Sequence, residues 1–333
     1  MGVGRVALLL VAAVGAVLAN AASTAQQQAK VPRVGIIIAG PGSIFDTLRK
    51  GLEQLGYVEG QTITIEPRFH KGDLDRLADL AAELVRLDVD VIVAGGGVGA
   101  RAAQKATTTI PVVFTAVIDP IPVGFAATME RPGGNITGIT SFDPQQPRKQ
   151  FELLKEMMPN LARVAVLTDQ DLPHAPSDPG WNPGDRANDV AARAVGLQPL
   201  MFKIKGPNPD IEGTLAAMTK AGAEAMVVLE VPVTVAHGKR IAELAIAARM
   251  PTMFVGGRTV AQAGGLIAYG TSILDTVPLV PGYVDRILKG AKPGEMPIGV
   301  ITRHAIIFNL KTAQAIGVTV PSELLKRADQ IIE

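Results

Sequence analysis

The feature that most constrains this chain is a strand–helix alternation that runs through five units and then begins again. "RVGIIIAG" (33–40) reads as a buried strand, and Phe45, Leu48, Leu52 and Leu55 follow at helical spacing up to Gly56. "TITIEPRF" (62–69) alternates like a strand, and Asp73 stands where it would cap the next helix. That helix carries Leu74, Leu77, Leu80, Leu84 and Leu87 as one apolar stripe. Strands are expected next at 89–95, 111–117 and 135–141. Such a succession requires a mostly parallel sheet covered by helices on both faces.

The pattern restarts with a helix at 149–159 and strands at 163–169, 198–205, 223–230 and 250–256. The chain therefore reads as α/β, with two similar doubly wound parallel-sheet lobes. The break falls near "SFDPQQPRK" (141–149), where prolines and polar residues interrupt the periodicity. A return crossing is expected near "GGLIAYGTS" (264–272). This assigns 30–142 plus about 265–290 to the first lobe, and 143–264 plus about 295–333 to the second. A helix at 309–316, capped by Asn309 and stopped by Gly317, and a last helix after Pro321 complete the reading.

Open α/β sheets bind ligands beyond the carboxyl ends of their strands. Two such sheets facing each other line one cleft, which places the useful loops at 39–45, 95–99, 115–120, 140–143, 169–185, 230–234 and 255–258. The aromatics Phe45, Phe142, Trp181 and Phe254 fall in or beside these loops, where a ring either stacks on a flat ligand or packs into the core.

Ahead of the first strand, Arg5 precedes an apolar run of 14 residues, Val6 to Ala19, followed by small residues and glutamines. This is the layout of a secretory signal, since a bilayer span needs roughly 20 apolar residues. Cleavage near Ala21 or Ala25 is expected, which makes residues 1–25 a signal peptide and the product periplasmic. Removing them takes away one basic residue and leaves equal numbers of acids and bases, which recommends neither nucleic acid nor an anionic surface as partner. The chain has no cysteine, so it has no disulfide, no thiol chemistry and no attachment point for a lipid.

"VIVAGGGVGARAAQ" (91–104) satisfies the dinucleotide fingerprint through Gly95, Gly97 and Ala100, with Asp119 about 20 residues on. Three points weigh against a nicotinamide cofactor. The turn follows the third strand rather than the first, the product is exported, and Asp119 sits in a loop before Pro120. Backbone N–H groups at a helix start attract a carboxylate as well as a phosphate. Across the cleft, Asp119 or Glu230 is placed to accept an ammonium group. His70, His174, His237 and His304 are scattered, and neither a G-x-S-x-G turn nor a P-loop occurs. No cofactor or metal is expected, and no catalytic set is assembled.

Several stretches carry a resemblance. "FDTLRKGLEQLGYVEGQTITIEPRF", "LAAELVRLDVDVIVAGGG", "TTTIPVVFTAVIDPIPVGF", "RPGGNITGIT", "RILKGAKPGEMPI" and "NLKTAQAIGVTVPSELLKRAD" resemble ABC-transporter substrate-binding proteins of the tryptophan/tyrosine type. The resemblance covers nearly the whole chain after the leader. It implies a type I periplasmic-binding fold and a receptor, monomeric by default, that delivers a small polar solute such as an amino acid or aromatic acid to a permease with a cytoplasmic ATPase. It also implies that the turn holding Gly96, Gly97 and Val98, the loop from Thr115 to Asp119, and Thr140 with Ser141 line one half of the pocket. Loops after the strands ending at Asp169, Glu230 and Gly256 would line the other half. The segment "TDQDLPHAPSDPGWNPGDRAND" departs from the family's short turn at that place, so the solute of other members does not carry over. An exported NAD-dependent oxidoreductase, or a sensor subunit for a membrane receptor, stand as the other readings.

Overall fold

The computed structural model describes residues 30–39, 42–140, 143–256, 261–271, 273–301 and 304–333. The expected leader at 1–25 and the candidate Ser141 lie outside the described residues.

The first lobe begins with β1 (Arg33–Ile38), α1 (Ser43–Gln54), β2 (Thr64–Phe69), α2 (Leu77–Arg86), β3 (Val91–Gly95), α3 (Gly96–Ala106), β4 (Val112–Thr115) and β5 (Ile136–Thr140). Side chains alternate across these strands. Ile37, Ile92, Ala94, Val112 and Phe114 meet α2 and α3 on one face. Val34, Ile36, Ile38, Val91, Val93 and Val113 meet α1 on the other. A strand buried on both faces reads as one continuous apolar run, which is why the sequence marks these strands so clearly.

The second lobe repeats the plan with α4 (Gln146–Met157), β6 (Arg163–Asp169), α5 (Pro183–Ala194), β7 (Gln198–Ile204), α6 (Ile211–Lys220) and β8 (Ala225–Val228). It continues through α7 (Pro232–Ala236), α8 (Gly238–Ala247), β9 (Thr252–Val255) and β10 (Ile267–Gly270). The chain then returns through α9 (Ile273–Thr276), α10 (Val280–Leu288) and β11 (Gly299–Val300). It ends with β12 (Ala305–Asn309), α11 (Leu310–Ile316), α12 (Ser322–Leu325) and β13 (Gln330–Ile332).

Among the described residues, the first sheet runs β11-β5-β4-β3-β1-β2, and the second β13-β12-β10-β9-β8-β6-β7. The doubled build is visible in the order: β2-β1-β3-β4-β5 has the same winding as β7-β6-β8-β9-β10. Every named pair is parallel except β10 with β12.

The boundary reading needs correction at two places. Segment 265–270, assigned to the first lobe, belongs to the second sheet, because β10 pairs with β9 as its next parallel strand. Residues 299–300, assigned to the second lobe, pair with Ile139 and Thr140 of β5. The crossings therefore follow Gly270 and Val300. Strand β4 also stops two residues early, because Ala116 turns into the left-handed region at φ 56°. Asp73 precedes a short 3-10 turn (Leu74–Arg76) and makes no side-chain capping bond. Asn309 does cap α11, accepting the Thr312 N–H, and Gly317 ends it with φ 75°.

Candidate functional site

A doubly wound sheet opens a crevice where the winding reverses. In the first lobe that point lies between β1 and β3, and in the second between β6 and β8. The two crevices face each other across a cavity of about 520 Å³. The first lobe contributes Ile38, Ala39, Gly95–Gly97 and the segment Thr115–Ile118 to its wall, and the second contributes Leu172, Pro173, Asn182 and Glu230–Pro232. Most of the wall is aliphatic, with Phe125 as its one phenyl ring among the described residues. Arg101 covers the Phe125 ring at 4.5 Å and also donates to the Val123 carbonyl, so this ring is held in place.

The polar groups are few and individually anchored. Thr115 is buried, its hydroxyl 2.5 Å from that of Thr276, which ties β4 to α9 beneath the cavity floor. The N-terminus of α3 opens at Gly96 and Gly97, so its unpaired N–H groups present a donor surface. Asn182 accepts the Asp185 N–H and caps α5 at the opposite wall. Glu230 and Lys239 supply charges of opposite sign from the second lobe.

His70, at the end of β2, is 4% exposed and also lines the cavity. Its Nδ1 accepts the Gly72 N–H at 3.2 Å, which requires the neutral tautomer with hydrogen on Nε2. Burial pushes its pKa below the usual histidine value, with Asp73 opposing the shift. Between the ordinary and lowered values only the unfolded chain takes up the proton. The stability linked to His70 is therefore present above about pH 6.5 and is lost as pH falls through the window below it. His70→Asn, whose Oδ1 keeps an acceptor for Gly72, is expected to flatten the fall in melting temperature between about pH 7 and 5. A slope unchanged by the substitution would assign the acid sensitivity elsewhere.

The cavity brings together Gly96, Gly97, Thr115 and Glu230 of the sequence candidates. The other described candidates lie elsewhere. Phe45 packs edge-to-face on Phe69 at 5.6 Å. Val98 turns into the core of the first lobe. Asp119 adopts φ 33°, receives the Ile121 N–H at 3.3 Å and borders a separate outer groove beside Trp181 and Arg186. Burial raises its pKa. Thr140 is buried and donates to the Val117 carbonyl at 2.6 Å, which shapes the loop rather than the wall. Asp169 is 1% exposed, accepts the Asp171 N–H at 2.9 Å, and has its pKa raised by burial. Gly256 stands behind Glu230: a Cβ there would come within 2.5 Å of the Glu230 carboxylate carbon, and its φ is +104°. Asp119, the acid of the dinucleotide fingerprint, borders the outer groove rather than the cavity that Gly95 and Gly97 line.

Sequence reading named the loops that hold Ile118, Leu172 and Pro173 without singling those residues out, and it did not name His70 or Phe125 as lining the cavity. The end of β2 was the available signal for His70, because it lies on the same side of the sheet as the glycine turn. Pro173 and Pro232 matter because they meet glycines across the cleft. A Cβ at Gly97 would sit 3.2 Å from Pro173, and one at Gly96 would sit 3.9 Å from Pro232. At the rim, a Cβ at Gly72 would sit 3.6 Å from Pro207. Ile118, carried by the first lobe, packs into the core of the second.

Comparison with known proteins agrees with this architecture. The chain is 33% identical over 118 residues to a tyrosine-binding protein of Clostridioides difficile (strain R20291), a stretch that spans 35% of this chain and 34% of that protein. A conserved domain protein of Vibrio cholerae superposes with a TM-score of 0.80 at 23% identity, covering 91% of this chain and 100% of the other. An ABC domain from Streptococcus pneumonia, solved in complex with L-Trp, gives 0.78 at 24% identity and covers 90% and 99%. These likenesses establish the type I periplasmic-binding fold. The model of the ABC transporter substrate binding protein family matches residues 33–332, and the chain belongs to that family.

Proposed function

We propose that the protein traps a small solute between its lobes outside the cytoplasm and releases it, chemically unaltered, to a membrane permease driven by a cytoplasmic ATPase. The observation that carries this reading is the cavity built from the switch points of both sheets. Its aliphatic wall fits an apolar or aromatic body. The α3 N-terminus and His70 Nε2 supply donors for an acidic end, and Glu230 supplies an acceptor. An amino acid or aromatic acid has this distribution. The tyrosine-binding relative and the L-Trp complex support the same class. No cofactor enters this reading, and a monomer suffices because one chain forms the whole cleft.

Among the described residues no helix is long and apolar enough to cross a membrane, and no cluster of potential metal ligands is found. The Val6–Ala19 run and its small-residue flank support export to the periplasm.

Protein purified without refolding, then denatured, is expected to release a solute identifiable by mass spectrometry. Adding that solute to stripped protein raises the melting temperature, because it binds the native state alone. Release of a nicotinamide dinucleotide would support the oxidoreductase reading instead. A failure of amino acids, aromatic acids, nucleosides and sugars alike to shift the melting temperature would remove the proposal.

A further inference from the structure

Strands β2 and β7 hold the same place in the two sheets: each is an outer edge, beside β1 and β6 respectively. The chain crosses between the lobes on the other side, after β5, β10 and β11. Four strand intervals separate β5 from β2, a lever of about 19 Å at ordinary strand spacing. Rotation about the crossings therefore parts the loops after β2 and β7 by about 0.3 Å for each degree of opening.

Those two loops meet. A Cβ built on Gly72, after β2, would lie 3.6 Å from Pro207 Cβ and 3.8 Å from Pro207 Cα, after β7. Neither residue lines the cavity, yet each is tied to its wall by a histidine of its own lobe. The Gly72 N–H donates to His70 Nδ1 at 3.2 Å, and His70 lines the cavity. The neighbouring Lys71 N–H donates to the carbonyl of Ala39, another wall residue, at 2.7 Å. On the facing side, His237 Nε2 donates to the Pro207 carbonyl at 3.0 Å. His237 stands between Ala236 and Gly238, and both of these line the cavity.

Both loops are also fixed in shape. Lys71 and Gly72 are consecutive left-handed residues, at φ 54° and 83°, a conformation uncommon for a lysine. Beyond Pro207, Asp210 caps α6 by accepting the Gly213 N–H at 2.9 Å. A contact at the far end of the lever, backed on each side by groups that reach the cavity wall, forms only when the lobes are shut.

Resting on the solute-binding reading above, we propose that Gly72 and Pro207 form a rim latch, seated by His70 and His237, that holds the lobes closed and sets how long a solute stays. Pro207 and His237 are then positioning residues, which act on the solute through the closed state without touching it. Loss of the latch speeds escape and leaves entry and selectivity alone, because the inner wall is unchanged.

The chain has no cysteine, so Gly72→Cys with Pro207→Cys can form one bridge only. The 3.6 Å separation of the Cβ atoms suits a disulfide. The left-handed backbone at position 72 weighs equally on every arm of the comparison. The probe is the compound that native protein releases or, where none is released, L-tryptophan, L-tyrosine and L-leucine in turn. Bridging, read as loss of free thiols in full-length protein, is expected about tenfold or more faster with saturating probe than without. The bridged protein is expected to release its probe about tenfold or more slower than the reduced protein. His237→Ala is expected to raise the dissociation rate about 3- to 10-fold, with the association rate and the rank order of probes unchanged. His237→Gln, whose amide can donate to the same carbonyl, restores the slow rate. The melting curve of the unliganded His237→Ala protein checks that it is folded, and should it not fold, Pro207→Gly carries the same expectation. Bridging that ignores the probe or never occurs, release unaffected by the bridge, or a variant that alters association or rank order instead of dissociation overturns the proposal. In each of these outcomes a probe still binds and the solute reading stands. No released solute, together with no probe that raises the melting temperature, removes that reading and the latch with it.

Discussion

Gly97→Val is expected to weaken solute binding about 10- to 100-fold while leaving the melting temperature of the unliganded protein within about 2 °C. Gly97 lies in the first turn of α3, where its backbone has an ordinary negative φ, so a side chain is tolerated locally. The obstacle is across the cleft. A Cβ would already stand 3.2 Å from Pro173 Cδ and 3.4 Å from its Cγ. The two methyl groups of valine add bulk at a contact that has no slack, and overpacking of this kind costs about 1–3 kcal/mol. That cost falls only on the state in which the lobes meet. Titration of the variant with the solute recovered from native protein checks this, and wild-type affinity would show that the Gly97–Pro173 contact plays no part in binding.

Gly138→Ala acts on the fold rather than the cleft. Gly138 is the partner of Phe114 in the β4–β5 ladder. A Cβ there would lie 2.2 Å from the Phe114 carbonyl oxygen and 2.5 Å from its ring. Phe114 is fully buried in the middle of the sheet and cannot move aside. The sheet must distort, with an expected loss of roughly 3 kcal/mol and a fall in melting temperature of about 6–12 °C. The next two residues, Thr115 and Ala116, line the cavity, so solute affinity falls as well. Gly282→Ala is the matched control. It sits inside α10 with nothing within 4 Å of a new Cβ, and alanine there is expected to add about 0.5–1 kcal/mol. Similar melting temperatures for the two variants would contradict the packing argument.

The fold was legible because both sheets are parallel and buried. Runs such as "RVGIII" and "RVAVLTD" declare themselves by continuous apolar character, and Asn309 and Gly317 mark a helix by their own conformational preferences. The misread boundary at 265–270 has a different origin. Strand β10 is short and pairs in parallel with β9, and nothing local in "IAYG" tells which sheet it joins. The two-residue β11 carries even less signal.

The site was legible only in part. A glycine turn after a strand and an acid at a strand end are visible in sequence, which is why Gly96, Gly97 and Glu230, which line the cavity, could be named as candidates. Asp119 and Thr140 had the right positions in the chain, but Asp119 turns to an outer groove and Thr140 is spent on the Val117 carbonyl. Ala116 shows the limit most clearly. It holds φ 56° without being glycine, and that turn ends β4 and lines the cavity. A left-handed alanine costs about 1–2 kcal/mol and leaves no trace in the pattern of apolar residues.

Small-angle scattering of stripped protein, recorded before and after returning the solute that native protein releases, tests the clamp most directly. A smaller radius of gyration in the bound state, with the same compound recovered intact afterwards, is the expected result. Superimposable curves at saturating solute, or recovery of a different compound, would contradict it.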